Sequence, residues 1–133
     1  MSDTREMLES ISAPTTWDVA AVAAAIDACL SCVQSCTSCE NACLAEEDID
    51  AMRDCIAFDQ TCADICATVA RSLSRPVQAD AGFLHSLLEA CVRACSNCAE
   101  ECARHAEHHR HCAICAESCR ACLKACAALL EQA

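Results

Sequence analysis

Five cysteines stand in the segment HCAICAESCRACLKAC, at Cys112, Cys115, Cys119, Cys122 and Cys126, spaced three, four, three and four apart. Steps of three and four return a side chain to the same face of an α-helix, at ~100° per residue. The spacing recurs at Cys29, Cys32, Cys36, Cys39 and Cys43, and at Cys91, Cys95, Cys98 and Cys102; a shorter set is Cys55, Cys62 and Cys66. Each set stays within a stripe roughly 40° to 80° wide. A lone buried cysteine is usually a small hydrophobe. Here 17 of them take the positions where a helical bundle normally puts leucine. The number is odd, so pairing within one chain cannot be complete, and a reducing compartment keeps thiols free. Thioredoxin-type redox chemistry needs one dithiol in a βαβ context, and no such context is present. Metal ligation is the chemistry that uses so many.

Thiolate sulfur is soft and selects Cu(I), Zn(II) or iron–sulfur clusters. Zinc asks for four sulfurs per ion, and each tetrathiolate site keeps a charge of −2, so a row of them is costly to bury. Iron–sulfur motifs wrap loop cysteines around a cluster, which a stripe on a rigid helix does not do. Cu(I) is content with two or three sulfurs, so a CxxC or CxxxC pair holds one ion and neighbouring thiolates bridge to the next. One Cu(I) per deprotonated thiol leaves the interior near neutral, as an apolar interior requires. The expected capacity is near one Cu(I) per cysteine, on the order of 17 per chain, with thiol protons released on binding. The alternatives are a zinc or mixed-metal thiolate buffer and an iron–sulfur electron-transfer protein.

These stripes need four helices to carry them. Pro14 and Thr15–Thr16, with Thr16 as N-cap, start a helix that runs to about Ala45. EEDID (46–50) is a turn in which Asp48 or Asp50 caps a second helix reaching about Ser72. After SLSRPVQADAG comes a third helix to about Ala106, and a polar reversal at 107–110 leads into a fourth that ends near Leu130. Short connections make neighbours antiparallel. The expected fold is all-α: an up-down-up-down four-helix bundle with a cysteine-lined core, in one domain spanning 1–133. Residues 1–14 form an extension outside the bundle, with a short amphipathic helix within 3–12.

Continuing each stripe by its own spacing predicts the two rims. One collects Cys43, Met52, His105 and His108, all Cu(I) ligands by type, and is the expected route for copper. The other collects Ile26, Val69, Leu73, Leu84, Leu87, Leu88 and Leu129, a hydrophobic seal. His109 and His111 fall off the stripe and read as polar connection. His85 has no placement, and Trp17 reads as a packing anchor. Helix two lacks a cysteine between Cys55 and Cys62, where either Phe58 or Asp59 faces inward.

Composition agrees with a thin conventional core. Leu, Ile, Val and Phe number 24 of 133 residues, under the ~20% that, with high net charge, signals disorder. One Gly, two Pro and abundant Ala nevertheless favour helix. A net charge of −11 argues against nucleic acid and anionic lipid as partners. MSDTREMLES lacks the basic start and apolar run of a secretion signal. VAAVAAAIDACL (19–30) is too short to span a bilayer and contains Asp27, so a cytoplasmic location is expected. No Ser–His–Asp set, paired carboxylates or phosphate loop suggests an enzyme.

CxxC alternating with CxxxC along four helices, in a chain of this length, resembles the bacterial four-helix-bundle copper-storage proteins, and without a leader their cytosolic branch. The resemblance runs from Thr16 onward. It implies many Cu(I) ions held by these cysteines, histidines near one mouth, and assembly into a homotetramer. A copper chaperone or copper-requiring enzymes are the expected exchange partners of such a store.

Overall fold

The computed structural model describes residues 3–12, 17–77 and 80–132, and there is no strand among them. A short helix α1 (Thr4–Glu9) precedes four long ones: α2 (Val19–Leu44), α3 (Arg53–Leu73), α4 (Ala81–Arg104) and α5 (Arg110–Gln132). Each long helix packs on two neighbours, α2 on α3 and α5, and α4 on α3 and α5. The backbones of the diagonal pairs stay apart and these helices meet only through core side chains, so the stripes converge on a central axis. This is the expected up-down-up-down bundle.

The helix starts differ from expectation in their caps. Pro14 to Thr16 lie outside the described residues; α2 is capped by Asp18, whose Oδ2 accepts from the Ala21 N–H at 3.1 Å. The Asp18 N–H also donates to Gln132 Oε1 at 3.4 Å, tying the start of α2 to the end of α5. Neither Asp48 nor Asp50 caps α3. A 3₁₀ turn, Ile49–Met52, intervenes, and α3 begins after Met52 without a side-chain cap. Asp48 is instead drawn to a histidine, as described below. Asp80 caps α4, its Oδ1 accepting from the Phe83 N–H at 3.1 Å.

At the rim formed by the ends of α3 and α5 and the starts of α2 and α4, Ile26, Val69, Leu73, Leu84, Leu88 and Leu129 are buried, with Leu87 packed beside them. The hydrophobic seal is therefore present. α1 lies against α2, with Leu8 buried and the Thr4 hydroxyl donating to Asp27 at 2.6 Å. Trp17 joins the core cluster as an anchor. Residues 19–30 alone are too short to cross a bilayer, but the whole of α2, at 26 residues and a mean hydropathy of 1.7 in its most apolar window, is long and apolar enough. That hydropathy comes from Val, Ile and Leu together with Ala and Cys, and the cysteines all turn into the bundle.

Candidate metal centre

All 17 cysteines are free thiols, and none is more than 1% exposed. The spacing explains this directly. With three- and four-residue steps, every Sγ on a helix projects to the same side, and the square arrangement gives all four stripes one shared interior.

The sulfurs form a continuous run. Toward the sealed end Cys29 lies 3.5 Å from Cys122 and 3.8 Å from Cys126, while Cys66 lies 3.8 Å from Cys91 and 3.7 Å from Cys122. In the middle Cys32 stands 3.8 Å from each of Cys36, Cys62 and Cys119. Cys95 is 3.8 Å from Cys62, and Cys115 is 3.7 Å from Cys36. Near the other end Cys55 and Cys102 are 3.5 Å apart.

Groups of four ligand atoms lie within 4.8 Å of one another: Cys29, Cys66, Cys91 and Cys122; Cys32, Cys66, Cys95 and Cys122; Cys32, Cys36, Cys62 and Cys119; Cys36, Cys98, Cys115 and Cys119. Successive groups share members. Cys66 and Cys122 serve two of them, as do Cys32, Cys36 and Cys119. A metal that wants four sulfurs to itself cannot fill adjacent groups. A metal content with bridging thiolates can.

The thiols polarise one another. Hydrogen bonds from Cys122 and Cys126 hold Cys29 down at about 6, and a hydrogen bond with Cys119 favours the thiolate at Cys32. At the edge of the run burial, followed by repulsion from Cys55, pushes Cys43 up to about 12.

The gap in the α3 stripe is filled by Asp59. Phe58 is 37% exposed and lines a shallow surface depression with Asn97, Glu100, Glu101 and Arg104. Asp59 is fully buried, accepting from Cys98 Sγ at 3.1 Å, Cys115 Sγ at 3.3 Å and Cys102 Sγ at 3.6 Å. Burial, then repulsion from Cys115, pushes its carboxyl up to about 8.

At the unsealed rim Cys43 and Met52 are fully buried where the stripes end. The histidines are arranged differently from expectation. His105 Nε2 faces Glu101 Oε2 at 2.9 Å, next to the Arg104–Glu101 pair, and His108 is exposed. The nitrogen beside the sulfurs belongs to His111, which the stripe excluded: Nδ1 is 3.3 Å from Cys39 Sγ and 3.6 Å from Cys112 Sγ. Cys39, Cys43, His111 and Cys112 form a further four-ligand group. His111 is four residues before Cys115 but adjacent to Cys112, which puts it just outside the stripe, so spacing alone left it out. His109 bridges Glu46 Oε2 and Asp48 Oδ2, each at 3.2 Å, and its hydrogen bond holds Asp48 below the usual carboxylate range. His85 pairs with Glu89 on the surface at 3.2 Å.

Comparison with known proteins agrees with this geometry. Residues 18–131 match the family described as copper storage protein. The fold superposes on the copper storage protein Ccsp from Streptomyces lividans loaded with 10 copper equivalents, with a TM-score of 0.95 and 41% identity over 98% of this chain and 99% of that one. A cytosolic copper storage protein from the same organism, carrying five coppers, matches at 46% identity and a TM-score of 0.83, over 84% of this chain and 93% of the other. Cu(I)-bound copper storage protein BsCsp3 matches at 34% identity and a TM-score of 0.70, over 80% and 95%.

Proposed function

The chain belongs to the copper storage protein family, and from that premise we propose that the sulfur run is a store filled by Cu(I) end to end. The observation that carries this is the sharing of sulfurs between successive buried groups. Each Cu(I) takes two or three thiolates, each thiolate serves more than one ion, and one monovalent charge per thiolate keeps the interior near neutral. The ligands proposed are the 17 cysteines, with Met52, His105 and His108 as expected from sequence and His111 added from its position. Copper enters and leaves at the rim that holds Cys39, Cys43, His111 and Cys112, because the opposite rim is sealed by aliphatic side chains. Storage involves no turnover, so the chain acts as a reservoir rather than a catalyst. The proposal places it in the cytosol as one domain (1–133), with 1–14 outside the bundle, as a homotetramer exchanging copper with a chaperone or copper-requiring enzymes.

The test is an anaerobic Cu(I) titration of the reduced chain against a competing chelator. Saturation on the order of 17 ions is expected, with ultraviolet charge-transfer bands and no visible colour. A plateau at about four ions with zinc, each holding unshared sulfurs, marks the contrast. Saturation with only one or two cuprous ions overturns the proposal. Stopped-flow loading of His105→Ala, His108→Ala and His111→Ala variants then locates the entry. Unchanged rates in all three would place it elsewhere.

A further inference from the structure

We infer that Glu46 is a positioning residue for the mouth of the store, holding the His111 ring in the tautomer that turns a nitrogen lone pair onto the Cys39 and Cys112 sulfurs. The inference rests on the copper-storage function proposed above.

The geometry runs through one ring. His111 Nε2 lies 3.2 Å from Glu46 Oε1, and its Nδ1 faces the two thiols at 3.3 and 3.6 Å. An ionised carboxylate only accepts, so the Nε2 contact needs a proton on Nε2. A neutral imidazole carries one N–H, which leaves Nδ1 with its lone pair directed at sulfur. That lone pair accepts an S–H in the metal-free chain. Once the thiols have lost their protons, it is free to ligate the cuprous ion that replaces them. A carboxylate on the far nitrogen of a ligating histidine fixes tautomer and orientation and raises ligand basicity.

Glu46 is itself held in place. Its N–H donates to the Cys43 carbonyl at 3.2 Å, anchoring it to the turn of α2 that ends the stripe. Its second oxygen faces His109 Nδ1 at 3.2 Å, and the His109 ring stacks on His111 with centroids 5.5 Å apart and planes at 23°. Both nitrogens of His109 are occupied by Glu46 and Asp48, so His109 buttresses the pair rather than ligating. The carboxylate comes from the α2–α3 connection and the imidazole from the first turn of α5, 65 residues later. The contact thus sets the ring of one helix by the end of another. The Glu46 side chain is 30% exposed, so truncating it leaves the core intact.

The test reads tautomer and copper separately. Nitrogen-15 NMR of the reduced, metal-free chain, at a pH well above the ordinary imidazole pKa of ~6.5, should show His111 protonated at Nε2. In Glu46→Ala both tautomers should appear, and Glu46→Gln, whose carbonyl still accepts from Nε2, should restore the single form. In chelator competition, the equivalent whose binding shifts the His111 resonances should weaken ~10–100-fold in Glu46→Ala and only a few-fold in Glu46→Gln. The double variant Glu46→Ala with His111→Ala should bind the equivalent at the same stage of the titration no more weakly than His111→Ala alone. Glu46→Ala keeping the pure Nε2–H form, or losses that add in the double variant, overturns the inference. The tautomer measurement uses no copper. A chain that took up none would sink the storage function while the NMR arm still decided the role of Glu46.

Discussion

Asp59 is the residue where hard and soft chemistry meet. It is an oxygen donor set among thiols, and its carboxyl is raised from 3.8 to about 8, chiefly by burial. The protonated form is therefore the one the folded chain favours. The stability this contributes is fully present below the unfolded pKa and is lost as pH rises through the folded one, because between the two the unfolded chain ionises Asp59 and the folded chain does not. Metal-free, reduced protein should accordingly lose stability between about pH 4 and 8, by an amount on the order of a few kcal/mol. Asp59→Asn, which stays neutral at every pH, should flatten that slope and be the more stable chain near pH 8. Chemical denaturation of both forms across the range checks this, and parallel slopes would contradict it. Phe58 and Asp59 could not be separated from sequence because adjacent positions both lay near the edge of the α3 stripe. Packing decided it: Phe58 rests against α4 surface residues, while four thiols, those of Cys55, Cys98, Cys102 and Cys115, converge on Asp59.

At the scale of elements, the bundle divides its labour along its length. Thiols fill the centre and one end, and aliphatic side chains close the other. Metal-free stability should depend strongly on that closed end, since cysteine contributes little buried area and Leu129 is completely enclosed. Leu129→Ala should cost about 2–5 kcal/mol in denaturant unfolding, yet leave the Cu(I) capacity unchanged, because no sulfur is removed. Helix starts matter less. Asp80→Ala, which removes the acceptor for the Phe83 N–H, should cost about 1 kcal/mol. Capacity falling with Leu129→Ala would show that the seal and the store are not separate.

For the whole molecule, convergence of the thiols before any metal arrives sets the response to loading. Sulfurs already 3.5–4.0 Å apart need only small shifts to bridge an ion. Copper should then leave the far-ultraviolet circular dichroism almost unchanged while raising the melting temperature stepwise, since ligand that binds only the folded state stabilises it by mass action. About one proton should leave per cuprous ion where the thiols are protonated. Helicity that rose sharply with copper would mean that the metal assembles the bundle rather than filling it.

Much of this was legible in the residues alone. Angular position on a helix is a local property, so three- and four-residue spacing determined which face each cysteine takes, and short polar connections determined that the four faces meet. The aliphatic rim followed from the same rule. The tertiary structure alone decided the features that depend on distant contacts. His111 sits off the stripe by angle, but its ring is long, stands on the first turn of α5, and is held onto Cys39 and Cys112 by a glutamate from another connection. His108, on the stripe by spacing, falls in the turn before the helix begins and stays exposed. Periodicity speaks for side chains inside a helix; at helix ends the backbone leaves the helical path, and partners far away in sequence choose the direction.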